Sequence, residues 1–240
     1  MPRKILWAWE RPEDLRFIDR NEYGVAFLAQ TILLENDRVI HKPRRQPLEL
    51  APGTYVIAVT RIETNKDGRM GPALDDEMIA KTVSLIKSTL ELPDVRGIQV
   101  DFDAVVSERA FYRRLMFELR SLLDKSADEG VRVPEDADEG VRVPSRVPLT
   151  MTALASWCTG DAWFNDFPVD EAVPMVFQMG ADSDKIKTYL RGQNDWQEPL
   201  CGGSYGISLE KGKFEGMKPG RRIYYFKNTA WKPSDVDALK

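Results

Sequence analysis

Two aspartates at the end of one apolar segment, Asp101 and Asp103, are the residues of this chain best suited to chemistry. They close the run 96–104, in which apolar residues alternate with Gln99 and the two aspartates. Side chains alternate across a β-strand, so Gln99, Asp101 and Asp103 share one face while the apolar residues share the other. The pattern predicts a buried strand with a carboxyl pair at its end, suited to proton transfer.

A structural role for the pair is the competing interpretation. Unpaired buried carboxylates cost several kcal/mol, on the order of the usual penalty for a buried charge, so they require a cation, solvent or a function. Arg61 or Arg109 could supply the cation. Perturbed carboxylates at strand ends are often functional, but ion-pair networks perturb carboxylates in the same way.

His41 is the only histidine of the chain. Nucleophilic triads, histidine-rich zinc sites and histidine proton relays all require imidazoles, so these mechanisms are disfavoured. A general acid or base would then be a carboxylate, lysine, tyrosine or cysteine. His41 itself falls in a short segment that we expect to be a surface strand.

The overall charge and hydropathy exclude further classes of protein. A net charge of -4 leaves no basic footprint for nucleic acid, and no apolar run approaches the roughly 18 residues of a membrane span. The first strand lacks a glycine-rich phosphate loop after it, and we predict no cofactor and no bound metal. As it stands, the sequence predicts a cytoplasmic protein, or an exported one if an upstream signal has been lost.

Two cysteines, Cys158 and Cys201, are too few for a disulfide framework. In a barrel, Cys158 would follow a strand at one rim, and Cys201 would precede a strand at the opposite rim. We therefore expect that the two cysteines form no disulfide with each other and that both thiols stay reduced.

Eight segments have the composition of strands, and several helical patterns separate them. The apolar stripes of 79–90 and 112–123 repeat every three or four residues, with Ser107 as a candidate N-cap, and shorter helices are expected at 13–21 and 183–191. The strand segments are 5–9, 25–31, 55–62, 97–103, 148–156, 173–178, 203–209 and 222–226.

Strands that alternate with helices predict an α/β fold with a parallel sheet, and eight of them favour a single (β/α)8 barrel of the TIM type over residues 1–240. The barrel should be irregular, because the proline-rich 42–52 and the glycine-rich 210–220 suit no helix. These gaps fall between the second and third strands and between the seventh and eighth. Residues 126–147 contain a duplicated eight-residue string and predict a loop insertion between the fourth helix and the fifth strand.

The carboxyl ends of barrel strands meet at one rim, where catalytic residues of such barrels lie. Acidic and aromatic residues near these ends are therefore candidates for substrate binding. Asp170 and Glu171 precede the sixth strand and should be solvated charges at the opposite rim. The substrate-binding candidates are Trp9, Glu10, Arg61, Trp157, Gln178, Asn228 and Trp231, and Glu63 and Glu210 also close strands.

The chain resembles the bacterial family called domain of unknown function 3142, nearly from end to end. The similarity rests on the segments 7–11, 97–104, 149–158 and 174–180. That family looks like a relative of barrel glycoside hydrolases.

A more remote resemblance is to the chitinase-like barrels of glycoside hydrolase family 18, whose fourth strand ends in Asp-Gly-x-Asp-x-Asp-x-Glu. Gly97 and Asp101 match that motif, whereas Gln99 and Asp103 replace an Asp and the catalytic Glu. The resemblance implies that Asp103 donates the proton and Asp101 assists it, and that Trp231 forms the floor of the sugar site.

These observations predict a carbohydrate-binding barrel that hydrolyses a glycosidic bond with Asp101 and Asp103. Two alternatives remain open. One is a barrel that binds carbohydrate or another small molecule without turnover, which the shorter Asp103 would favour because a misplacement of about 1 Å can reduce a rate about a hundredfold. The other is a divalent-cation phosphoesterase with carboxylate ligands.

Overall fold

The described part of the chain forms a closed barrel of eight parallel β-strands with a few helices outside it. A computed structural model describes residues 1–65, 71–130, 146–161, 163–177 and 179–239, with the backbone alone for 126–130. The first barrel strand pairs with both the second and the last, and this pairing closes the barrel. A parallel barrel of eight strands is consistent with the predicted TIM-type architecture.

All eight predicted strands are barrel strands. Three short strands lie outside the barrel: β2 (Glu13–Asp14), β4 (Arg38–Pro43) and β5 (Leu48–Glu49). The barrel strands are β1 (Lys4–Ala8), β3 (Tyr23–Glu35), β6 (Tyr55–Thr64), β7 (Val95–Asp101), β8 (Leu149–Leu154), β9 (Glu171–Met175), β10 (Ser204–Ser208) and β11 (Arg222–Phe226).

Alternation of side chains divides the core into two layers. Ile98, Val100 and their counterparts on other strands belong to the large cluster between the barrel wall and the helices. A second, smaller cluster fills the inside of the barrel, as period-two alternation requires. Its members are Ile5, Trp7, Ala26, Ile57, Val59, Val173, Tyr224 and Phe226.

Five α-helices pack outside the wall, and none of the described helices is long and apolar enough to cross a membrane. The three helices predicted at 79–90, 112–123 and 183–191 are present, and their apolar stripes are buried. The helices are α1 (Asp76–Ser88), α2 (Arg109–Gly130), α3 (Ala155–Cys158), α4 (Ser183–Arg191) and α5 (Pro233–Asp237).

Two local predictions at chain turns are wrong. Residues 13–21 form no α-helix, because Glu13 and Asp14 pair with β5 instead, and the buried Glu13 carboxylate accepts the Trp231 backbone N–H. Ser107 is not the N-cap of α2. It lies inside a 3-10 turn over Val106–Glu108 that runs directly into the helix, so it does not stand at the start of the helical segment.

The barrel departs from regular strand–helix repetition at three connections. No α-helix lies between β1 and β3, between β3 and β6 or between β10 and β11, stretches that are described in full. This agrees with the expectation for 42–52 and 210–220. In place of a helix, β4 folds back antiparallel on β3, leaves its own outer edge unpaired in the described sheet, and carries the exposed His41. Of the predicted insertion, residues 126–130 continue α2, whereas 131–145 lie outside the described residues.

Cys158 and Cys201 form a disulfide, which corrects the prediction of two separate thiols. Helix α3 starts directly after β8, so Cys158 has left the rim and lies under the segment that leads to β10. There its carbonyl accepts the Gln197 backbone N–H at 2.8 Å, and its Cα lies 6.0 Å from that of Cys201, within disulfide range.

Candidate functional site

Asp101 ends β7 at the mouth of the barrel formed by the carboxyl ends of the strands. It pairs in register with Arg61 of β6, and Val59 and Gln99 pair one layer below. Partners in a parallel pair face the same side, and Val59 belongs to the inner cluster, so Asp101 and Arg61 also face inward. They share a pocket of about 260 Å³ lined by Leu33, Arg61, Ile62, Glu63, Thr64, Asp101, Phe102 and Asp103.

The Asp101 carboxyl is mostly removed from water. Burial raises its pKa from 3.8 to about 6, and the negative charge of Asp103 adds to the rise. A hydrogen bond from Thr152 Oγ1 to Asp101 Oδ1, 2.6 Å long, opposes the rise because it favours the ionised form, as does the positive charge of Arg61. Asp101 can therefore carry a proton near pH 6, which suits a group that donates one.

Arg61 and Arg109, the two cations considered for a structural ion pair, have other partners. Arg61 Nε lies 3.1 Å from Glu63 Oε1, and Arg109 pairs with Asp161. Within the described residues, no salt bridge of 4.0 Å or less reaches Asp101 or Asp103. The structural interpretation of the aspartate pair therefore has no cation in direct contact.

Asp103 is exposed, and the loop beneath it is fixed to its surroundings. Phe102 is buried and packs edge-on against Tyr112, with the ring centroids 5.1 Å apart. The buried Glu108 accepts the Val105 backbone N–H at 2.8 Å and Thr64 Oγ1 at 2.6 Å. Glu108 thus ties the loop that carries Asp103 to the end of β6, which keeps Asp103 beside the pocket.

Four aromatic rings, which we call the aromatic wall, lie together on the inner face at the mouth: Trp7, Trp9, Phe177 and Phe226. Phe226 is central, with centroid distances of 4.5 Å to Trp7 and 4.8 Å to Phe177. Trp9 and Phe177 are partly exposed, whereas Trp7 and Phe226 are buried. Exposed aromatic faces of this kind can stack on an apolar ligand face, so the mouth offers both carboxyls and rings.

Glu10, Asn228 and Gln178 complete the predicted rim. The exposed Glu10 turns toward the β4 side, where its Oε1 accepts the Arg45 backbone N–H at 3.2 Å. Asn228 is exposed and lines a pocket of about 100 Å³ beside the aromatic wall. Gln178 lies outside the described residues.

Trp157 and Trp231 do not reach the mouth, which corrects their assignment as binding residues. Trp157 is 4% exposed and packs edge-on against Trp163, because α3 turns it into the outer core. Trp231 is 5% exposed, and its Nε1 donates to the Trp7 carbonyl at 2.9 Å. Both side chains therefore stabilise the fold beneath the rim.

A cavity larger than the mouth pocket does not coincide with the carboxyls. It measures about 620 Å³ and lies outside the barrel, between the outer face of β3, the segment after β4 and the end of α1. Arg44, which lines it, donates to the carbonyls of Trp9 and Arg11 and so holds the first loop. Size alone would favour this cavity, whereas the raised pKa of Asp101 makes the mouth the candidate site.

Sequence reasoning missed Thr152 as a member of the site, whereas Phe177 stands where chitinase-like barrels often have a tyrosine. Thr152 lies on the inner face of β8 and bonds Asp101, and Phe177 follows β9. The alternation of Thr150 and Thr152 with apolar residues was the sequence signal that could have identified Thr152.

We expect Thr152→Val to raise the pKa of Asp101 above about 6, by about one unit, because it removes a hydrogen bond that favours the charged carboxylate. Since the folded-state pKa already exceeds 3.8, Asp101 favours the fold at low pH, and this contribution is lost as the pH rises from about 4 to about 6. Carboxyl ¹³C NMR titration of both proteins measures the shift. An unchanged midpoint would contradict the role of Thr152. The control is Thr159→Val, because Thr159 Oγ1 donates to the Ala155 and Ser156 carbonyls and not to Asp101.

In the described residues, no group of three or more His, Cys, Asp or Glu side chains is arranged to hold a metal ion. The mouth combines the protonatable carboxyl of Asp101, the carboxyl of Asp103 and the aromatic wall, at the rim where barrels of this type bind their ligands. Comparison with protein-family models, curated proteins and solved structures finds no match to this chain.

Proposed function

We propose that the mouth of this (β/α)8-type barrel binds a carbohydrate and hydrolyses a glycosidic bond by carboxyl chemistry. One observation carries the proposal: Asp101, whose pKa is raised to about 6 by burial, lies in a pocket with Asp103 at the same mouth as the aromatic wall. Glycoside hydrolysis uses a carboxylic acid to protonate the leaving oxygen, and aromatic faces stack on sugar rings.

Asp101 is the better proton donor of the pair. The resemblance to chitinase-like barrels assigns that role to Asp103, but Asp103 is exposed, whereas burial raises the pKa of Asp101. Asp103 instead raises the pKa of its neighbour by its charge. Arg61 and Glu63 then bind substrate hydroxyls at the edge of the pocket, beside Asp101.

A mass-spectrometric turnover screen against mixed bacterial and plant oligosaccharides tests the proposal. We expect wild-type cleavage, a loss of about a hundredfold or more in Asp101→Asn, and a weaker loss in Asp103→Asn. Asp184→Asn, an exposed aspartate in the first turn of α4, is the matched control and should cleave like the wild type.

Three outcomes would overturn the proposal. Turnover at the wild-type rate in Asp101→Asn would show that Asp101 is not the proton donor. Binding of oligosaccharides without cleavage by any variant would favour the non-catalytic carbohydrate-binding barrel. Cleavage that a chelator abolishes would favour the divalent-cation enzyme.

A further inference from the structure

Glu210 is a further carboxyl at the mouth, and it is held in one orientation. It comes two residues after β10, and Ser208 Oγ donates to its Oε2 at 2.5 Å. The Asn228 backbone N–H donates to its Oε1 at 2.9 Å. Two hydrogen bonds to separate oxygens fix the plane of the carboxylate, which a solvated surface glutamate lacks.

The pocket beside Glu210 is bounded by the aromatic wall. It measures about 100 Å³ and is lined by Trp9, Phe177, Ser208, Glu210, Lys211, Phe226 and Asn228. Lys211 donates to the Phe177 carbonyl, so its ammonium group is already engaged. A ring stacked on the exposed face of Trp9 or Phe177 would therefore lie within reach of the Glu210 carboxylate.

The position of Glu210 around the barrel differs from that of Asp101 and Asp103. These two aspartates leave the same strand end, so they approach a bound sugar from the same side. Hydrolysis by direct displacement needs an acid and a base on opposite faces of the ring. Strands β8 and β9 separate β7 from β10 in the closed barrel, so Glu210 reaches the mouth from a different part of the rim than Asp101 does.

On the basis of the proposed hydrolytic function, we infer that Glu210 is the general base of this site, opposite Asp101. Glu210 takes a proton from a water molecule whose oxygen forms a bond to the anomeric carbon. As the bond from that carbon to the leaving oxygen breaks, the leaving oxygen takes the proton of Asp101. Exchange of protons with solvent restores both carboxyls, and the product has the inverted anomeric configuration.

The surroundings of Glu210 favour its charged form, as a base requires. Partial burial opposes ionisation, but the hydrogen bonds from Ser208 and Asn228 and the charge of Lys227 outweigh it and lower the pKa of Glu210. The environment of Asp101 acts in the opposite direction. Two carboxyls whose environments separate them in this way divide the roles of acid and base.

Two kinds of substrate separate the base from the acid. The unactivated oligosaccharide cleaved in the turnover screen needs a protonated leaving group, whereas 2,4-dinitrophenyl glycosides carry a leaving group that departs without a proton. We expect Glu210→Gln to lose about a hundredfold or more in kcat on both substrates. Asp101→Asn should lose activity on the oligosaccharide and keep it on the dinitrophenyl glycoside. ¹H NMR of the first product should show inversion.

Glu215→Gln is the matched control, because Glu215 is exposed and its ion pair with Arg191 lies outside the mouth. Wild-type kcat in Glu210→Gln, with Asp101→Asn inactive on the oligosaccharide, would overturn the inference and leave the proposed function standing. Retention of configuration would also overturn it. Absence of wild-type turnover on every substrate would overturn both the inference and the proposed hydrolysis.

Folding of the variants is checked by thermal unfolding. The Glu210→Gln side chain can still accept the Asn228 N–H, so it should melt like Glu215→Gln. If it does not fold, Glu210→Asp supplies the test, because a base shorter by one methylene should lose kcat with KM unchanged. Wild-type kcat in Glu210→Asp would overturn the inference.

Discussion

The double variant Cys158→Ser/Cys201→Ser should lose about 4 kcal/mol of unfolding free energy, because the disulfide closes a loop with a sequence separation of 43 residues. In the chain-entropy description, such a cross-link removes conformations from the unfolded state, and the effect grows with the logarithm of the loop length. Both cysteines are fully buried, so the native fold also shields the bond from a reductant.

Urea unfolding with and without a reductant measures this effect. The wild type in reductant should fall to the stability of the double variant, whose own stability should not respond to reductant. The link joins the end of α3 to the turn before β10, so its loss should first free the segment between them. Two titratable thiols in the unfolded, unreduced wild type would show that no disulfide forms and would refute the prediction.

Arg222→Met should destabilise the protein by about 3–5 kcal/mol at pH 7, because it leaves the Glu171 carboxylate buried without a cation. Glu171 is 5% exposed and lies inside the barrel at the end opposite the mouth, paired with Arg222. Burial raises the pKa of Glu171, and the positive charge of Arg222 counteracts that rise. This pair corrects the expectation that Glu171 is a solvated charge.

The pH dependence identifies the cause of the loss. Without Arg222 the buried carboxylate disfavours the fold when it is ionised. The deficit should therefore be full at pH values above the raised pKa of Glu171, and it should shrink as the pH falls through that pKa, which lies above 4.5, because Glu171 then takes up a proton. The double variant Glu171→Gln/Arg222→Met should regain most of the loss. Arg16→Met, which breaks an exposed ion pair with Asp14, is the control and should change stability little. A pH-independent deficit would contradict the charge explanation.

The strands and the main helices could be predicted because local periodicity encodes them. The alternation in 96–104 and the stripes of 79–90 and 112–123 reflect which face each residue buries, and burial of that face is what stabilises the element. The same alternation placed Asp101 at the mouth. Local periodicity carries no information on how a chain turns after a strand, and the errors concentrate there.

Trp157, Trp231 and Cys158 show this limit. Each follows a barrel strand closely, and each was expected at the rim, yet the chain turns the first two into the core and brings Cys158 against Cys201. Such contacts join residues that are distant in sequence, so no short sequence pattern predicts them. Glu210 is the opposite case, since its position after β10 was readable, whereas its bonds to Ser208 and Asn228 depend on the closure of the barrel.

Strand β4 is an edge strand whose residues disfavour pairing with a second chain. A closed barrel has no open edge, but among the described strands β4 pairs with β3 alone, and its other edge could template pairing with a second chain. Arg38, His41 and Lys42 make that edge charged or polar, and Pro43 ends it with a residue that has no backbone N–H to donate. The hairpin that replaces a helix thus exposes an edge, and the residues of that edge are of the kinds that disfavour edge-to-edge aggregation.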